Sequence, residues 1–265
     1  MISCLVTYDM TYPVVLILLM SLLFSNALYS KRINTQFLRK MSAKRSKTNG
    51  NQNSSNVIQN IYENLKYINN MKEVVKTPLE CTNIKQCLEL MDSVTLTDLG
   101  LNNKNLESIN RSFCMHIVET NNFHVSIFII PRNSKLPLHD HPNMSVLSKV
   151  IKGTLKMKSY NIEKSFEMKS GKKIFPAQIT NENMIKTNQD KSWFLSPSID
   201  NIHEFEAINE TAVVFDVLMP PYDETDGRPC NFYEEYINNE KHFLSITEEP
   251  ILPATVAYAG YRPIL

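Results

Sequence analysis

Two stretches in the first hundred residues carry hydrophobic side chains at helical spacing. Residues 56–75 repeat them every three or four positions: Ile58, Ile61, Leu65 and Ile68. Ser55 or Asn56 precedes the repeat and suits the N-cap of a helix. Residues 82–91 show the same spacing with Ile84, Leu88 and Met91. The pattern therefore predicts two short α-helices.

The second half of the chain changes to short runs in which hydrophobic and polar residues alternate. In one run, Leu155, Met157 and Ser159 oppose Lys156 and Lys158, as expected for a strand with one buried face. Nine such runs follow one another: SFCMHIVE, FHVSIFII, SVLSKVI, TLKMKSY, KKIFPAQI, KSWFL, NIHEFEAI, TAVVFDVLM and NFYEEYI. Many short strands at this spacing predict a mainly β domain, built as one barrel or a double-sheet jelly roll.

Composition and pattern together divide the chain into four parts. Residues 1–55 hold a hydrophobic segment and a polar linker, and residues 56–111 form a helical lead-in. The β domain spans residues 112–245, and residues 246–265 form a C-terminal tail. Because the linker (SAKRSKTNGNQNSSN) is polar and poor in hydrophobic residues, we expect it to be flexible. We also expect about the first 75 residues to be dispensable for the chemistry.

Residues 14–28 (VVLILLMSLLFSNAL) are nearly continuous apolar sequence, shorter than the ~20 residues that cross a bilayer comfortably. No Lys or Arg precedes them, whereas seven follow within residues 31–47. A secretory signal carries its positive charge in front, and charge behind the segment favours a cytosolic C-terminal part. Three interpretations stay open: a membrane anchor with a cytosolic body, a cleaved targeting segment, or translation that starts at Met20 or Met41.

Charge and composition exclude several classes of function. The formal net charge of +1 gives no support to a nucleic-acid-binding surface. There are only six glycines and no GxGxxG or GxxxxGK motif, so nucleotide-binding loops are excluded. Asparagine tolerates positive φ, so we expect it at turns where glycine is scarce. The five cysteines form no CxxC pair, which argues against a disulfide scaffold or zinc ribbon and suits a reducing compartment.

The segment PLHDHP, residues 137–142, is the most informative for chemistry. Side chains two apart in a strand face the same side, so His139 and His141 would both point into the barrel. Two inward imidazoles either bind a metal or carry a desolvation cost. His203, in the strand-like run NIHEFEA, supplies a third imidazole that a barrel can bring beside them. The alternative is an exposed strand edge with solvated rings.

PLHDHP followed by SVLSKVIKGTLKMKSY resembles the first cupin motif of the thiol dioxygenases that include plant cysteine oxidases and 2-aminoethanethiol (cysteamine) dioxygenase. NIHEFEA resembles the second motif, and AVVFDVLMPPYDETDGRPCNFYEEY is similar to the C-terminal stretch of that family. The resemblance covers roughly Leu79 to Tyr236. It implies a single cupin fold, a double-stranded β-helix or jelly-roll barrel, after the two short helices.

The resemblance also implies Fe(2+) held by His139, His141 and His203. Many cupins carry a glutamate shortly after the HxH pair, but here that window reads PNMSVLS and contains no acid. The implied site is therefore three neutral imidazoles without a carboxylate, unlike the 2-His-1-carboxylate triad. The implied reaction adds both atoms of O₂ to a thiol and gives a sulfinic acid, with sulfur supplying all four electrons.

Three further positions carry over from the resemblance. Asp216 lies in the apolar run VVFDVLM, and the resemblance implies a place near the iron where it engages the amine of the substrate. The alternative for Asp216 is an outward-facing residue or a structural ion pair. Tyr222 of PPY would hydrogen-bond the substrate or a bound oxygen, or else be a rim aromatic. Cys230 matches a family cysteine that can crosslink to a tyrosine two residues on; that position is Phe232 here, so this crosslink should not form. Cys230 is then a buried hydrophobe or an oxidation-sensitive thiol.

The expected activity is that of an iron-dependent thiol dioxygenase acting on the N-terminal cysteine of a protein or peptide, which would feed an oxygen-dependent N-degron pathway. Cysteamine or free cysteine is the alternative substrate. A non-catalytic cupin that binds a metal or a small ligand is the alternative of another class, because cupin folds host many functions. We expect a monomer whose partners are the thiol and O₂, with no nucleic acid and with membrane anchoring through residues 14–28 left open.

Overall fold

The computed structural model describes residues 56–68, 77–163, 165–169, 171–247 and 253–264. Within them, no helix combines the length and the apolar character needed to span a bilayer. The hydrophobic segment and the linker predicted within residues 1–55 lie outside the described residues.

The described helices are few and lie mostly before the first strand. They are α1 (Val57–Lys66), α2 (Thr82–Ser93) and the single-turn α3 (Asn103–Leu106). Short 3₁₀ turns occur at Pro78–Glu80 and Glu224–Asp226. The two helices predicted from hydrophobic spacing are confirmed, and α3 was not predicted.

Helix α1 begins as its sequence predicts and buries one face. Asn56 is the N-cap, and its Oδ1 accepts a hydrogen bond from the Ile58 amide at 2.9 Å. Ile58, Ile61 and Leu65 are each only 1% exposed. The buried face of α1 therefore packs in the core, and whether residues 56–75 are dispensable for the chemistry stays a prediction.

Thirteen strands follow in the described part of the chain. They are β1 (Phe113–Glu119), β2 (His124–Ile130), β3 (Lys135–His139), β4 (Ser145–Lys152), β5 (Thr154–Ile162), β6 (Glu167–Lys169), β7 (Lys172–Thr187), β8 (Trp193–Leu195), β9 (Ile202–Ala207), β10 (Ala212–Met219), β11 (Phe232–Asn238), β12 (Lys241–Thr247) and β13 (Ala254–Thr255). All nine predicted runs are strands, and β3, β6, β12 and β13 were not among those nine runs.

The strands form two sheets. One has the order β13-β1-β2-β10-β4-β8, and the other has the order β12-β11-β3-β9-β5-β7-β6. All neighbouring strands pair antiparallel except β13, which runs parallel to β1. Because β12 continues to Thr247 and β13 joins β1, the predicted C-terminal tail contributes to both sheets.

The two sheets enclose one hydrophobic interior. The first sheet contributes Ile130, Val150, Ala212 and Val214, and the second contributes Leu136, Leu155, Met157, Phe205 and Ala207. All of these side chains are at most 5% exposed. Two sheets closed around a common core make the predicted cupin architecture, a double-stranded β-helix. The predicted alternation along β5 is confirmed, since Leu155, Met157 and Ser159 are buried.

Asparagine takes turn positions as predicted from the scarcity of glycine. Four asparagines have φ between 49° and 62°: Asn133, Asn143, Asn209 and Asn239. Gly153 stands where no other residue fits easily, because its φ is 84° and an added Cβ would lie 2.8 Å from the Thr211 carbonyl oxygen.

Candidate metal centre

Adjacent strands place two of the three histidines opposite each other. His139 is the last residue of β3, and His203 is the second residue of β9. The two residues are register partners, which puts their side chains on one face. His203 also pairs with Ser159 on β5. The site is therefore built on the sheet that carries β3, β9 and β5.

His141 reaches the site from a loop. The expectation that both histidines of the HxH pair project from one strand is wrong, because β3 ends at His139. A tight turn follows, in which the Met144 amide donates to the His141 carbonyl at 3.1 Å and Asn143 has a φ of 52°. The turn, rather than strand alternation, aims His141 inward.

The three imidazoles nevertheless converge. One ring nitrogen from each of His139, His141 and His203 lies within 4.8 Å of the others, and the ring centroids are 4.8–5.1 Å apart. The side chains are 7%, 4% and 2% exposed, respectively. No other group of three metal-ligating side chains occurs in the described ranges, and this group includes no carboxylate. A buried cluster of three nitrogens suits a divalent transition metal.

Hydrogen bonds fix which nitrogen of each ring is free. The Nδ1 of His139 lies 2.7 Å from the Pro137 carbonyl oxygen, and that of His203 lies 3.1 Å from the Asp200 carbonyl oxygen. A carbonyl oxygen only accepts, so both Nδ1 atoms carry the proton and both Nε2 lone pairs are free. This is the arrangement in which imidazole binds a metal through Nε2.

Tyr222 completes the pattern for His141. Its hydroxyl donates to the Asp140 carbonyl oxygen at 2.7 Å, and so accepts from His141 Nδ1 at 2.7 Å. The Tyr222 ring also stacks on the imidazole, with centroids 5.4 Å apart. The Nε2 of His141 is buried and has no hydrogen-bond partner. A buried nitrogen without a partner is costly unless a metal takes its lone pair, so the residues present fit a bound cation.

Burial keeps the three imidazoles uncharged. It lowers the pKa of His139, and burial with the two neighbouring histidines lowers that of His141 well below its usual value. Burial and the proximity of His139 lower the pKa of His203 to about 3. The rings are therefore neutral near pH 7 and do not need to lose a proton before they bind a cation.

Asp140 lies between His139 and His141, and its carboxylate is held by donors from Tyr233 on β11 and from Asn231, the residue just before β11. Its carboxylate accepts from the Asn231 amide at 2.9 Å, from Asn231 Nδ2 at 3.0 Å and from the Tyr233 hydroxyl at 2.8 Å. The Asp140 amide donates in turn to the Asn231 carbonyl at 3.1 Å. These contacts fix the loop that carries His141.

Asn201 ties the two motifs together. Its Oδ1 accepts from the His141 amide at 3.1 Å, and its Nδ2 donates to the His141 carbonyl at 2.7 Å and to the Ser196 carbonyl at 3.3 Å. Asn201 lies two residues before His203. One amide side chain therefore sets the position of His141 relative to the strand that carries His203.

Asp216 lies on β10 and points into the barrel. It occupies the same face as Val214, a member of the interior cluster, because the two are two residues apart. Burial raises the pKa of Asp216 to about 7, partly offset by a hydrogen bond from Ser148. Its Oδ1 is buried without a hydrogen-bond partner. The alternative of an outward-facing residue does not fit this placement, and no ion pair of Asp216 occurs among the described residues.

Cys230 lies beside Tyr222, and the two side chains hydrogen-bond. Burial raises the pKa of the Cys230 thiol to about 11, so the reactive thiolate is scarce at neutral pH. Phe232, two residues after Cys230, lies near the three histidines, with its ring centroid 6.1 Å from that of His139. Arg228 fixes the intervening loop by pairing with Asp226 and donating to the Pro221 carbonyl.

Comparison with known proteins decides the family. The PCO_ADO family matches residues 80–257. The chain belongs to the PCO_ADO family. This PCO_ADO protein is 37% identical over 123 residues to the probable 2-aminoethanethiol dioxygenase of Dictyostelium discoideum, a match that covers 46% of the chain and 55% of that relative.

Two further similarities extend the comparison. The PCO_ADO protein is 29% identical to plant cysteine oxidase 1 of Arabidopsis thaliana over 67% of its own length and 62% of that relative. The chain thus spans a little over half the length of these relatives. A cupin with a double-stranded β-helix fold from Methanocaldococcus jannaschii aligns with a TM-score of 0.30 and 14% identity, over 45% of this chain and 89% of that one.

The sequence pointed to the three histidines, Asp216 and Tyr222, and the structure gathers the histidines and Tyr222 into one cluster. The contacts of Asn201, Asn231 and Tyr233, which orient the loop that carries His141, were not predicted from the sequence. The position of Asn201, two residues before His203, could have suggested its role, because a polar side chain there can reach the loop that carries His141. No comparable signal marked Asn231 or Tyr233.

Proposed function

We propose that this protein is a non-haem Fe(2+) thiol dioxygenase that converts a cysteinyl thiol to a sulfinic acid. The single observation that carries the proposal is the set of three buried imidazoles with every Nδ1 engaged, every Nε2 free and no carboxylate among them. Membership of a family whose named relatives are thiol dioxygenases supports the same reaction class.

His139, His141 and His203 would hold the iron through Nε2. Three neutral ligands leave the full +2 charge of a ferrous ion in place, which favours an incoming thiolate over a thiol. A bound ferrous ion would supply the redox and Lewis-acid chemistry that lets the thiol and O₂ react. Imidazole also suits zinc, copper and nickel, so the choice of iron rests on the family.

The balance of the reaction requires no further reagent. A thiol and O₂ combine to give a sulfinic acid, so two sulfur–oxygen bonds form and sulfur loses four electrons to the two oxygen atoms. The chain contributes position and enclosure. Tyr222 holds His141 through its hydroxyl, and its ring packs against a buried apolar cluster that includes Leu218 and Met144.

The substrate we favour is an N-terminal cysteine, which presents an amine two carbons from its thiol. Asp216 supports this choice because it is buried, faces the interior and has an unpartnered Oδ1. A protonated amine beside that carboxylate would form a charge-assisted hydrogen bond. Cysteamine and free cysteine carry the same amine and are the alternatives. Oxidation of a protein N-terminus would make its lifetime depend on O₂ through an N-degron.

Oxygen incorporation tests the reaction class. Protein loaded anaerobically with Fe(2+) is mixed with air and, separately, with a Cys-initiated peptide, cysteamine or cysteine, and the products are weighed by mass spectrometry. We expect a gain of two oxygen atoms on the peptide. No gain on any thiol, with iron retained, would favour the non-catalytic metal-binding cupin.

Substitution of the ligands tests the metal centre. His139→Ala, His141→Ala and His203→Ala should each abolish iron retention and turnover. His242→Asn is the matched control, because His242 pairs with Glu235 on the outer strands and should keep both. Near-stoichiometric iron in any of the three ligand variants would remove that histidine from the ligand set.

Asp216→Asn tests recognition of the amine. The amide keeps the shape of the side chain and removes its charge, so iron should stay bound while kcat/KM for a free-amine peptide falls roughly ten- to a hundred-fold. An N-acetylated peptide lacks the amine charge, so it should be a poor substrate and lose clearly less from the substitution than the free-amine peptide does. Equal losses on both peptides would show that the amine is recognised elsewhere.

The location of the protein is a separate proposal. We place the catalytic domain in the cytosol because positive charge follows residues 14–28 and the cysteines form no framework of pairs. The four cysteines within the described ranges are free: Cys81, Cys87, Cys114 and Cys230.

A further inference from the structure

A row of polar side chains crosses the inner wall of the barrel beside Asp216. His116 on β1, Ser126 on β2 and Asp216 on β10 are register partners, and Ser148 continues the row on β4. The row lies on the inner face, because Phe128, two residues from Ser126, packs against the interior cluster. Polar groups across an otherwise apolar wall call for a reason, since each carries a desolvation cost.

Hydrogen-bonding groups connect along this row. Ser126 Oγ lies 3.2 Å from His116 Nδ1 and 3.2 Å from His124 Nε2. The two imidazole rings have centroids 4.4 Å apart and are tilted by 34° relative to each other. A serine hydroxyl can donate to one imidazole while it accepts from the other, so it can pass a proton between them.

The row runs from a buried end to a half-exposed end. Asp216 and Ser126 are 5% and 1% exposed, whereas His116 and His124 are only half-buried. Asp216 Oδ1 has no partner and stands directly across the strand pair from Ser126. Opposed side chains on neighbouring strands have Cβ atoms about 4.5–5.5 Å apart, so a side-chain rotation or one water can join them.

The proposed reaction releases a proton inside the barrel, and a row of hydrogen-bonding side chains can carry it to solvent. A thiol enters and a sulfinate leaves, so the S–H bond breaks and one proton must leave the barrel in each turnover. We propose that Asp216, Ser126, His124 and His116 form a proton-transfer row that carries this proton from the site to solvent. The inference rests on the proposed function and adds to it a set of residues outside the two cupin motifs.

In this scheme the thiol proton moves to Asp216 Oδ1, while the amine of the substrate bonds the other oxygen of the carboxylate. Ser126 then accepts that proton on Oγ and gives its own hydroxyl proton to one of the imidazoles, from which it passes to water. Each group returns to its starting state and no electrons are transferred. Burial raises the pKa of Asp216 to about 7, so its carboxylate can take up and release a proton near neutral pH, and burial lowers the pKa of His124 to about 4, so that imidazole is neutral and has a free lone pair.

Other titratable groups face the row. Cys114 on β1 lies 3.9 Å from His116 Nδ1, and burial together with the charge of Asp216 raises its pKa to about 12, so it stays a thiol. Glu119 faces both imidazoles and raises their pKa values, against the lowering by burial. On the metal side, burial and then nearby groups that include Asp216 raise the pKa of Tyr222. The charge of Asp216 thus acts both on Tyr222, which bonds His141, and on Cys114, which lies beside His116.

A mutant cycle read by NMR tests the connection without any turnover. Full-length protein loaded with zinc, which is diamagnetic, gives the ring resonances of His116 and His124 as pH is varied. We expect Asp216→Asn to shift their titration in the presence of Ser126, and to leave it unchanged in a Ser126→Ala background. Unshifted titration in Asp216→Asn, or an equal shift without the Ser126 hydroxyl, would overturn the connection.

The rate of proton release during turnover tests whether the reaction uses the proton-transfer row. In weakly buffered solution with an indicator dye, Ser126→Ala and the double variant His116→Gln/His124→Gln should release protons at least ~10-fold more slowly than wild type. Added imidazole, a diffusible proton carrier, should restore both. Ser148→Ala is the matched control: it removes the hydroxyl on the other side of Asp216, and imidazole should not raise its rate.

The outcomes separate this inference from the proposed function. Slow variants that imidazole does not rescue, or variants as fast as wild type, would overturn the proton-transfer row while leaving the dioxygenase intact. A wild-type protein that adds no oxygen to any thiol would overturn the proposed function and, with it, the use of the row, while the NMR cycle would still report whether the four side chains are coupled.

Discussion

The Tyr222 hydroxyl accepts a hydrogen bond from His141 Nδ1 at 2.7 Å while it donates to the Asp140 carbonyl at the same distance. The two contacts fix the tautomer of His141 and the orientation of its ring. Tyr222, eighty-one positions away in sequence, thereby orients His141, the one proposed ligand that does not lie on a strand. Tyr222 acts through another residue, so it is a positioning residue for the metal.

Tyr222→Phe should weaken metal binding by about 10- to 100-fold, the usual effect of losing a partner behind a ligand. The ring and its stacking on His141 remain, so the fold should be unaffected. Metal affinity of the chelator-treated protein, measured by competition with a coloured chelator, is the readout. Tyr236→Phe is the control because its hydroxyl donates to Glu234 at an exposed position. Equal affinities for Tyr222→Phe and wild type would contradict the assignment.

Asn201→Ala should reduce both metal affinity and stability. The substitution leaves the His141 amide and carbonyl without their side-chain partner, and a buried group left unsatisfied costs about 1–3 kcal/mol. Denaturant unfolding of the metal-free protein measures the free energy of unfolding, and chelator competition measures the affinity. Asn161→Ala, at an exposed position of β5, should change neither. If Asn201→Ala lowers the free energy of unfolding but leaves the metal affinity unchanged, the hydrogen bonds of Asn201 to His141 do not set the ligand geometry.

Much of this architecture was predictable because it depends on local pattern. The alternation along β5 and the helical spacing in α1 predict which face of each element is buried. The three histidines could be recognised because imidazole is a common metal ligand. The loop position of His141 was not predictable, since HxH reads equally well as a continuing strand. The clamp by Asn201 and the row from His116 to Asp216 depend on strand register across the first sheet and on long-range pairing, which no single segment encodes.

Removal of residues 1–55 should be tolerated, whereas removal of residues 1–76 should destabilise the domain strongly. The second deletion takes away Ile58, Ile61 and Leu65, and a fully buried aliphatic side chain is worth about 1.5–3 kcal/mol. It also removes Gln59, whose Oε1 accepts from Tyr261 and from the Ile264 amide of the C-terminal segment. Against a typical stability of roughly 5–15 kcal/mol, that loss is large.

Thermal unfolding followed by circular dichroism compares the two shortened chains. The chain that begins at residue 56 should melt like the full-length protein and keep its activity. A chain that begins at residue 77 with an unchanged melting temperature would show that α1 contributes nothing to the core. Ile58→Ala within the full-length chain is a milder test of the same face, with an expected cost of about 2–5 kcal/mol.

The metal-free protein should lose stability as pH falls from about 6.5 towards 3. His203 has a pKa of about 3 in the folded protein because burial disfavours its charged form, against 6.5 when unfolded, and the pKa values of His139 and His141 are lowered in the same direction. Between these values the unfolded chain binds protons that the folded chain does not. Each such histidine therefore makes the free energy of unfolding fall by up to about 1.4 kcal/mol per pH unit as pH decreases.

Asp216 works in the opposite direction over part of the same range. Burial raises its pKa from 3.8 to about 7, so its protonated form favours the folded state, and this contribution is lost as pH rises through 7. Denaturant unfolding at several pH values gives the net slope, which the three histidines should dominate. His203→Gln should flatten the slope and Asp216→Asn should steepen it. If His203→Gln leaves the slope of the free energy of unfolding against pH unchanged, the fold does not hold this imidazole neutral.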